Sequence, residues 1–135
     1  MKEPPARSVV LDSQALSLLL GNDRRMVARI EASRRAGVPV LVSALTVVEA
    51  VHGKTDVARL NWVLSRLQVE PVSQADSMAA VRLLLDAGDL HGHKYAIDAL
   101  VAAMALRVPA PVLVLTSDRD DWSKLCGTRV SIVDV

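Results

Sequence analysis

Two short stretches of the chain, Val9-Val10-Leu11 and Val112-Leu113-Val114-Leu115, are apolar at every position. A run that is short, continuous and rich in β-branched residues predicts a strand buried on both faces, as in a parallel sheet covered by helices. A third run, Val38-Pro39-Val40-Leu41-Val42, ends at Ser43, a ready N-cap for the segment that follows. Between these runs the spacing becomes helical. Residues 13–20 predict a short helix stopped by Gly21-Asn22. Asp23 can cap a second helix over 24–36, with Met26, Val27 and Ile30 on one face and Arg25 and Arg29 opposite.

The same reading predicts helices over 44–51, 56–67, 73–87 and 95–107, then a short one after residues 116–118 that ends at 125. Weaker strands are expected at 68–70 and 129–133, a polar loop with Gly92 at 89–93, and a loose tail at 1–7. Strands alternate with helices, which predicts an α/β fold: a parallel sheet with right-handed crossovers and helices on both faces. The most apolar strands, 9–11 and 112–115, should be central neighbours.

Composition narrows this only a little. At 135 residues the chain is expected to be a single domain, 1–135. It has no Phe and only Trp62, Trp122 and Tyr95 as aromatics, so the core must be built from Ala, Val and Leu. The net charge of +1 neither demands nor excludes a nucleic-acid partner. Cys126 is alone, so no disulfide framework is expected. The start lacks the apolar stretch of a secretory signal, and no apolar run reaches the roughly 18 residues of a membrane span. A cytoplasmic protein is the expectation.

Position, not number, distinguishes four acids. Asp12 follows the first strand directly, and Asp118 follows the fourth after Thr116-Ser117. If those strands are neighbours, both carboxylates leave the sheet at one edge, where open α/β sheets bind ligands. Glu49 lies in the helix entered from the second strand. Asp98 is expected in the first turn or so of the helix preceding the fourth, in the run Ala96-Ile97-Asp98-Ala99-Leu100-Val101-Ala102-Ala103, with no Lys or Arg at i+3 or i+4. Crowded carboxylates raise one another's pKa and coexist as anions only around a positive charge. Oxygen-only donors suit a hard cation, Mg²⁺ or Mn²⁺. Such a site is equipped for metal-assisted phosphodiester cleavage.

The stretches Val10-Leu11-Asp12-Ser13, Ser43-Ala44-Leu45-Thr46-Val47-Val48-Glu49, Ile97-Asp98-Ala99-Leu100-Val101-Ala102-Ala103 and Leu115-Thr116-Ser117-Asp118-Arg119-Asp120-Asp121 resemble the acidic motifs of PIN-domain proteins. The similarity is greatest to VapC-type toxins of toxin–antitoxin pairs, and it spans nearly the whole chain. It implies a three-layer α/β/α fold with sheet order 3-2-1-4-5. It also implies a Mg²⁺-dependent endoribonuclease, a cognate antitoxin that blocks it, and a homodimer. Asp12, Glu49, Asp98 and Asp118 match the family's acidic positions. Asp12 and Asp98 would hold the metal most directly, Asp118 would complete its shell, and Glu49 would orient or deprotonate the attacking water.

Plainer roles exist for each residue. Asp12 can cap the helix at 13–20, Asp98 can serve a helix N-terminal turn, and Asp118 can be an N-cap. Asp121 can be a capping-box acid or a fifth site carboxylate. Thr116 and Ser117 can hydrogen-bond a carboxylate or a phosphate, and Arg119 and Lys124 can touch a substrate backbone. The arginines 24, 25, 29, 34 and 35 read as the wet face of a helix. His52, His91 and His93 lack the spacing of a metal set and read as loop residues. Two other functions compete: a PIN-fold RNA- or protein-binding module that no longer cuts, and a metal-dependent phosphatase or phosphoacceptor. The latter is disfavoured because Ser13-Gln14 follows Asp12 where a second acid is wanted.

Overall fold

The computed structural model describes residues 5–88 and 90–135. Its elements run β1 (Ser8–Leu11), α1 (Ser13–Leu20), α2 (Arg24–Arg35), β2 (Val40–Ser43), α3 (Ala44–Ala50), α4 (Val57–Leu64) and β3 (Gln68–Glu70), then α5 (Gln74–Asp86), α6 (Gly92–Arg107), β4 (Val112–Thr116), α7 (Arg119–Cys126) and β5 (Ser131–Asp134). The five strands form one sheet in the order β3-β2-β1-β4-β5, and every pairing is parallel. β1 and β4 are the central neighbours, with Val10 opposite Val114 and Leu11 opposite Leu115.

Side chains of successive strand residues point to opposite faces of a sheet, and two cores result. Val10, Leu41, Val112 and Val114 pack under α5, α6 and α7 with Leu83, Ala102, Trp122 and Leu125. Val9, Leu11, Val40, Val42 and Leu115 pack under α1, α2 and α4 with Leu16, Leu19, Met26, Ile30 and Val63. The layers are therefore helix, sheet, helix. Alanines at 99, 102, 103 and 105 make α6 slim, so it buries almost fully without any large side chain. Cys126 lies in the same core, where burial pushes its thiol up to about 11; it is a packing residue.

Most boundaries fall where the sequence pattern puts them, with two differences. Residues 65–67 turn rather than extend α4. More consequentially, α6 begins at Gly92, not Tyr95: the N–H of Tyr95 donates to the carbonyl of His91 at 2.9 Å, closing the first helical turn around a glycine that reads as a loop residue. His93 is thus helical. Of the expected loop and tail, Asp89 and residues 1–4 lie outside the described residues. No helix among the described residues is long and apolar enough to cross a membrane.

Candidate active site

Because the strands are parallel and in register, β1, β2 and β4 all deliver their carboxyl ends to one edge. Asp12 stands there, half-buried, at the N-cap of α1. One carboxylate oxygen accepts the Ser13 N–H at 2.9 Å. The other accepts two side-chain donors from the far end of the chain, the Thr116 hydroxyl at 2.8 Å and the Trp122 indole N–H at 2.9 Å. Thr116 Oγ1 in turn accepts the Asp118 N–H at 3.0 Å. Asp12 is thus more than a cap: it is held in one orientation by the end of β4 and the first turns of α7. Thr116 does what its sequence position allowed. Trp122 was not anticipated; the only clue is that so large an indole needs a partner for its N–H when buried.

The other acids converge on this edge from three helices. Asp98 faces Asp121, Asp12 and Asp118; burial first, then those three carboxylates in that order, push it up to about 6. Glu49 is raised by burial first and then by Asp12 and Asp98. Asp118 is raised by burial first and then by the adjoining Asp121 carboxyl group. All four anticipated residues therefore share one electrostatic neighbourhood. Among the described residues none of the four is within ion-pair distance of a Lys, Arg or His.

Several plainer readings are corrected by this geometry. Since α6 starts at Gly92, Asp98 sits in its second turn, beyond the first turn where a helix dipole favours an acid. Asp118 occupies the N-cap of α7, but its side chain makes no capping hydrogen bond. Nor is there a capping box: the Asp118 N–H goes to Thr116, and Asp121 faces Asp118 and Asp98 instead. Arg119 is not free to meet a substrate. Its guanidinium donates to both oxygens of Asp134, at 2.9 Å for the shortest contact, and to the Ile132 carbonyl at 3.1 Å. Lys124 lies 3.2 Å from Asp120 and 3.9 Å from Asp121. Among the histidines, His52 closes a turn with Lys54 and Thr55, and His91 is the N-cap of α6.

The PIN domain family model matches residues 9–127. The chain belongs to the PIN-domain family. Solved structures share the fold of this PIN domain at low sequence identity. VapBC2 from Rickettsia felis, bound to a DNA fragment from its promoter, aligns with TM-score 0.73 and 15% identity over 95% of this chain and 98% of that one. A toxin–antitoxin complex from Klebsiella pneumoniae gives 0.66 and 20% over 90% and 94%. DNA-bound VapBC from Salmonella typhimurium gives 0.64 and 14% over 94% and 97%. No curated protein sequence matches the chain.

A divalent cation is the group that PIN-domain nucleases use, and the donor set of this PIN domain suits one. The donors are all carboxylate oxygens, and their charge is uncompensated by any described cationic side chain at Asp12, Glu49, Asp98 or Asp118. Among the described residues no three His, Cys, Asp or Glu side chains converge as a ready-made cage. That openness fits Mg²⁺, which keeps several of its waters and takes only one or two carboxylates plus substrate oxygens.

Proposed function

We propose that this PIN domain is a Mg²⁺-dependent endoribonuclease, with Mn²⁺ as a substitute, acting as the toxin of a toxin–antitoxin pair. The observation that carries this reading is the raised, unpaired Asp98 surrounded by Asp12, Asp118 and Asp121. A protein does not gather like charges at a half-buried site for stability, since each raises the cost of ionising the next. Asp12, Asp98 and Asp118 would hold the cation, which when bound supplies a Lewis acid for the scissile phosphate and lowers the pKa of attacking water.

The chain's own groups do the rest. Asp12 is presented in a fixed orientation by Thr116 and Trp122, so it needs no reorganisation on binding. Glu49, the most exposed of the four acids and raised by its neighbours, is suited to orient the attacking water and take its proton. Asp121 lies against Asp118 and keeps that acid elevated until a cation arrives. A cognate antitoxin, a homodimeric assembly and a cytoplasmic setting belong to the same reading; the antitoxin is favoured by the toxin–antitoxin complexes among the fold neighbours. The acids also argue against a silent binding module, because none of the four is missing or neutralised by an ion pair.

The test is cleavage of a defined single-stranded RNA by the purified chain with Mg²⁺, with Mn²⁺, and in EDTA. Cleavage is expected with either metal and absent in EDTA. Cleavage undiminished by EDTA would overturn the mechanism, and RNA binding without cleavage under any divalent metal would favour the silent module.

A further inference from the structure

The rim of the acidic site carries an aromatic ring that the chemistry above leaves unused. Tyr95 stands three residues before Asp98 on α6, one turn earlier on the same side of the helix. Helical side chains lean toward the N-terminus, so the ring covers the surface just outside the position of Asp98. A second route leads to the same place. Lys124 on α7 lies 3.9 Å from Asp121, which faces Asp98, and it also feels the Tyr95 phenol. Tyr95 therefore sits between α6 and α7 at the mouth of the acid cluster. On its other side the Lys94 ammonium lies 5.2 Å from the ring centroid. The ring is half-buried, Lys94 and Lys124 are exposed, and Tyr95 is the chain's only tyrosine.

An aromatic ring flanked by two ammonium groups beside a site for a phosphodiester is the equipment of a single-strand nucleotide subsite. A base stacks on the ring and its phosphates meet the lysines. The other aromatics have different jobs: Trp122 is buried and donates to Asp12, and Trp62 lies between Arg59 and Arg66. We infer that Tyr95 is a specificity-determining residue of the nuclease site, a platform on which the RNA base next to the scissile phosphate stacks, with Lys94 and Lys124 holding the adjoining backbone. This rests on the endoribonuclease reading. It requires that base to be unpaired, so the substrate class is single-stranded or looped RNA, not a continuous duplex.

The experiment compares wild type, Tyr95→Phe, Tyr95→Leu and Tyr95→Ala on a fluorescent single-stranded RNA. KM and kcat are measured with Mg²⁺, and direct binding of the same RNA is measured in EDTA. Phe keeps the ring and should stay within about twofold of wild type. Leu and Ala should each raise KM and weaken binding in EDTA roughly tenfold, with kcat changed far less, because stacking acts on binding. Leu keeps apolar bulk, so a loss shared by Leu and Ala but absent in Phe assigns the effect to the ring. If wild type cleaves and all three variants keep its KM and RNA affinity, the platform is wrong while the nuclease reading stands. If Phe falls as far as Ala, the hydroxyl rather than stacking is at work and the platform is again wrong. If wild type neither binds nor cleaves RNA, both fall.

Discussion

Two carboxylates on the flanking helices meet opposite fates. Asp76, in the first turn of α5, is 3% exposed, yet its pKa is lowered, by the Arg107 side-chain hydrogen bond above all. Arg107 reaches it at 2.8 Å from the end of α6, and Ser73 completes a reciprocal capping box. Asp98, on the same α6, is also withdrawn from water, and its neighbours are three more carboxylates. Burial alone does not separate them. What does is whether the fold supplies a counter-charge: Arg107 fastens β3, α5 and α6 together through Glu70 and Asp76, while nothing of the kind is provided for Asp98. A buried acid with its own arginine is a structural joint. One left among other acids is held ready for a cation from outside.

The widest break in this contrast is expected in activity. Asp98→Asn and Asp12→Asn keep size and hydrogen-bonding shape but remove the charge. Each should lower kcat on RNA by roughly a thousandfold, about 4 kcal/mol of barrier. Thermal melts in EDTA should run the other way for Asp98→Asn, with Tm rising because a repelled carboxylate has gone. Asp76→Asn should leave cleavage near wild type and lower Tm. A loss of activity in Asp76→Asn matching that in Asp98→Asn would erase the distinction.

Stability comes next. Removing Arg107 leaves Asp76 buried and unpaired, so Arg107→Ala should cost about 3 kcal/mol, read as a fall in denaturation midpoint at constant slope. Asp76→Ala should cost less, about 2 kcal/mol, since the partly exposed arginine it strands can turn to water. The pH profiles should oppose each other. Asp76 has a lowered folded pKa, so its contribution is full above the unfolded carboxylate value near 4 and is lost as pH falls further. Asp98 is raised to about 6, so the folded state keeps a proton that the unfolded chain has lost; metal-free stability should decline as pH rises from about 4 to about 6. Urea titrations from pH 3 to pH 7 on wild type, Asp76→Asn and Asp98→Asn would show each slope vanish in its own variant. Identical profiles in all three would contradict the assignment.

Much of this was legible along the chain because it rests on local pattern. The uninterrupted apolar runs at 9–11 and 112–115 could only be central strands, and acids placed directly after such strands could only emerge at the carboxyl edge. The sheet order came from the resemblance rather than from periodicity. What the sequence hid is pairing at a distance. Nothing in the chain joins Trp122 to Asp12 across 110 positions, or Arg107 to Asp76 across 31. Arg119 beside Asp118 looked like a phosphate contact because its partner, Asp134, lies 15 residues on, where β5 runs alongside β4. Gly92 hid the true start of α6, because a glycine at the first helical position carries the same signal as one in a loop.

The finest effect expected concerns Trp122, which belongs to both halves of the contrast. It is 5% exposed and part of the core under α7, and its N–H is one of two side-chain donors on the Asp12 oxygen that Thr116 also holds. Trp122→Phe keeps an aromatic ring in the core and removes the donor. Asp12 retains Thr116 and the Ser13 N–H, so it stays at the sheet edge but less firmly aimed. Losing one of three hydrogen bonds to a charged group, when the others remain, should lower kcat about tenfold, roughly 1.4 kcal/mol of barrier, with KM for RNA unchanged. The smaller ring also leaves a cavity, and that cost should appear in the melt. The Thr116→Val variant separates the two contributions: it removes the other donor without a change in volume, and should lower kcat by a similar factor. If Thr116→Val is slowed and Trp122→Phe is not, the indole is only core; if both are slowed alike, the end of β4 and α7 together aim the first acid of the site.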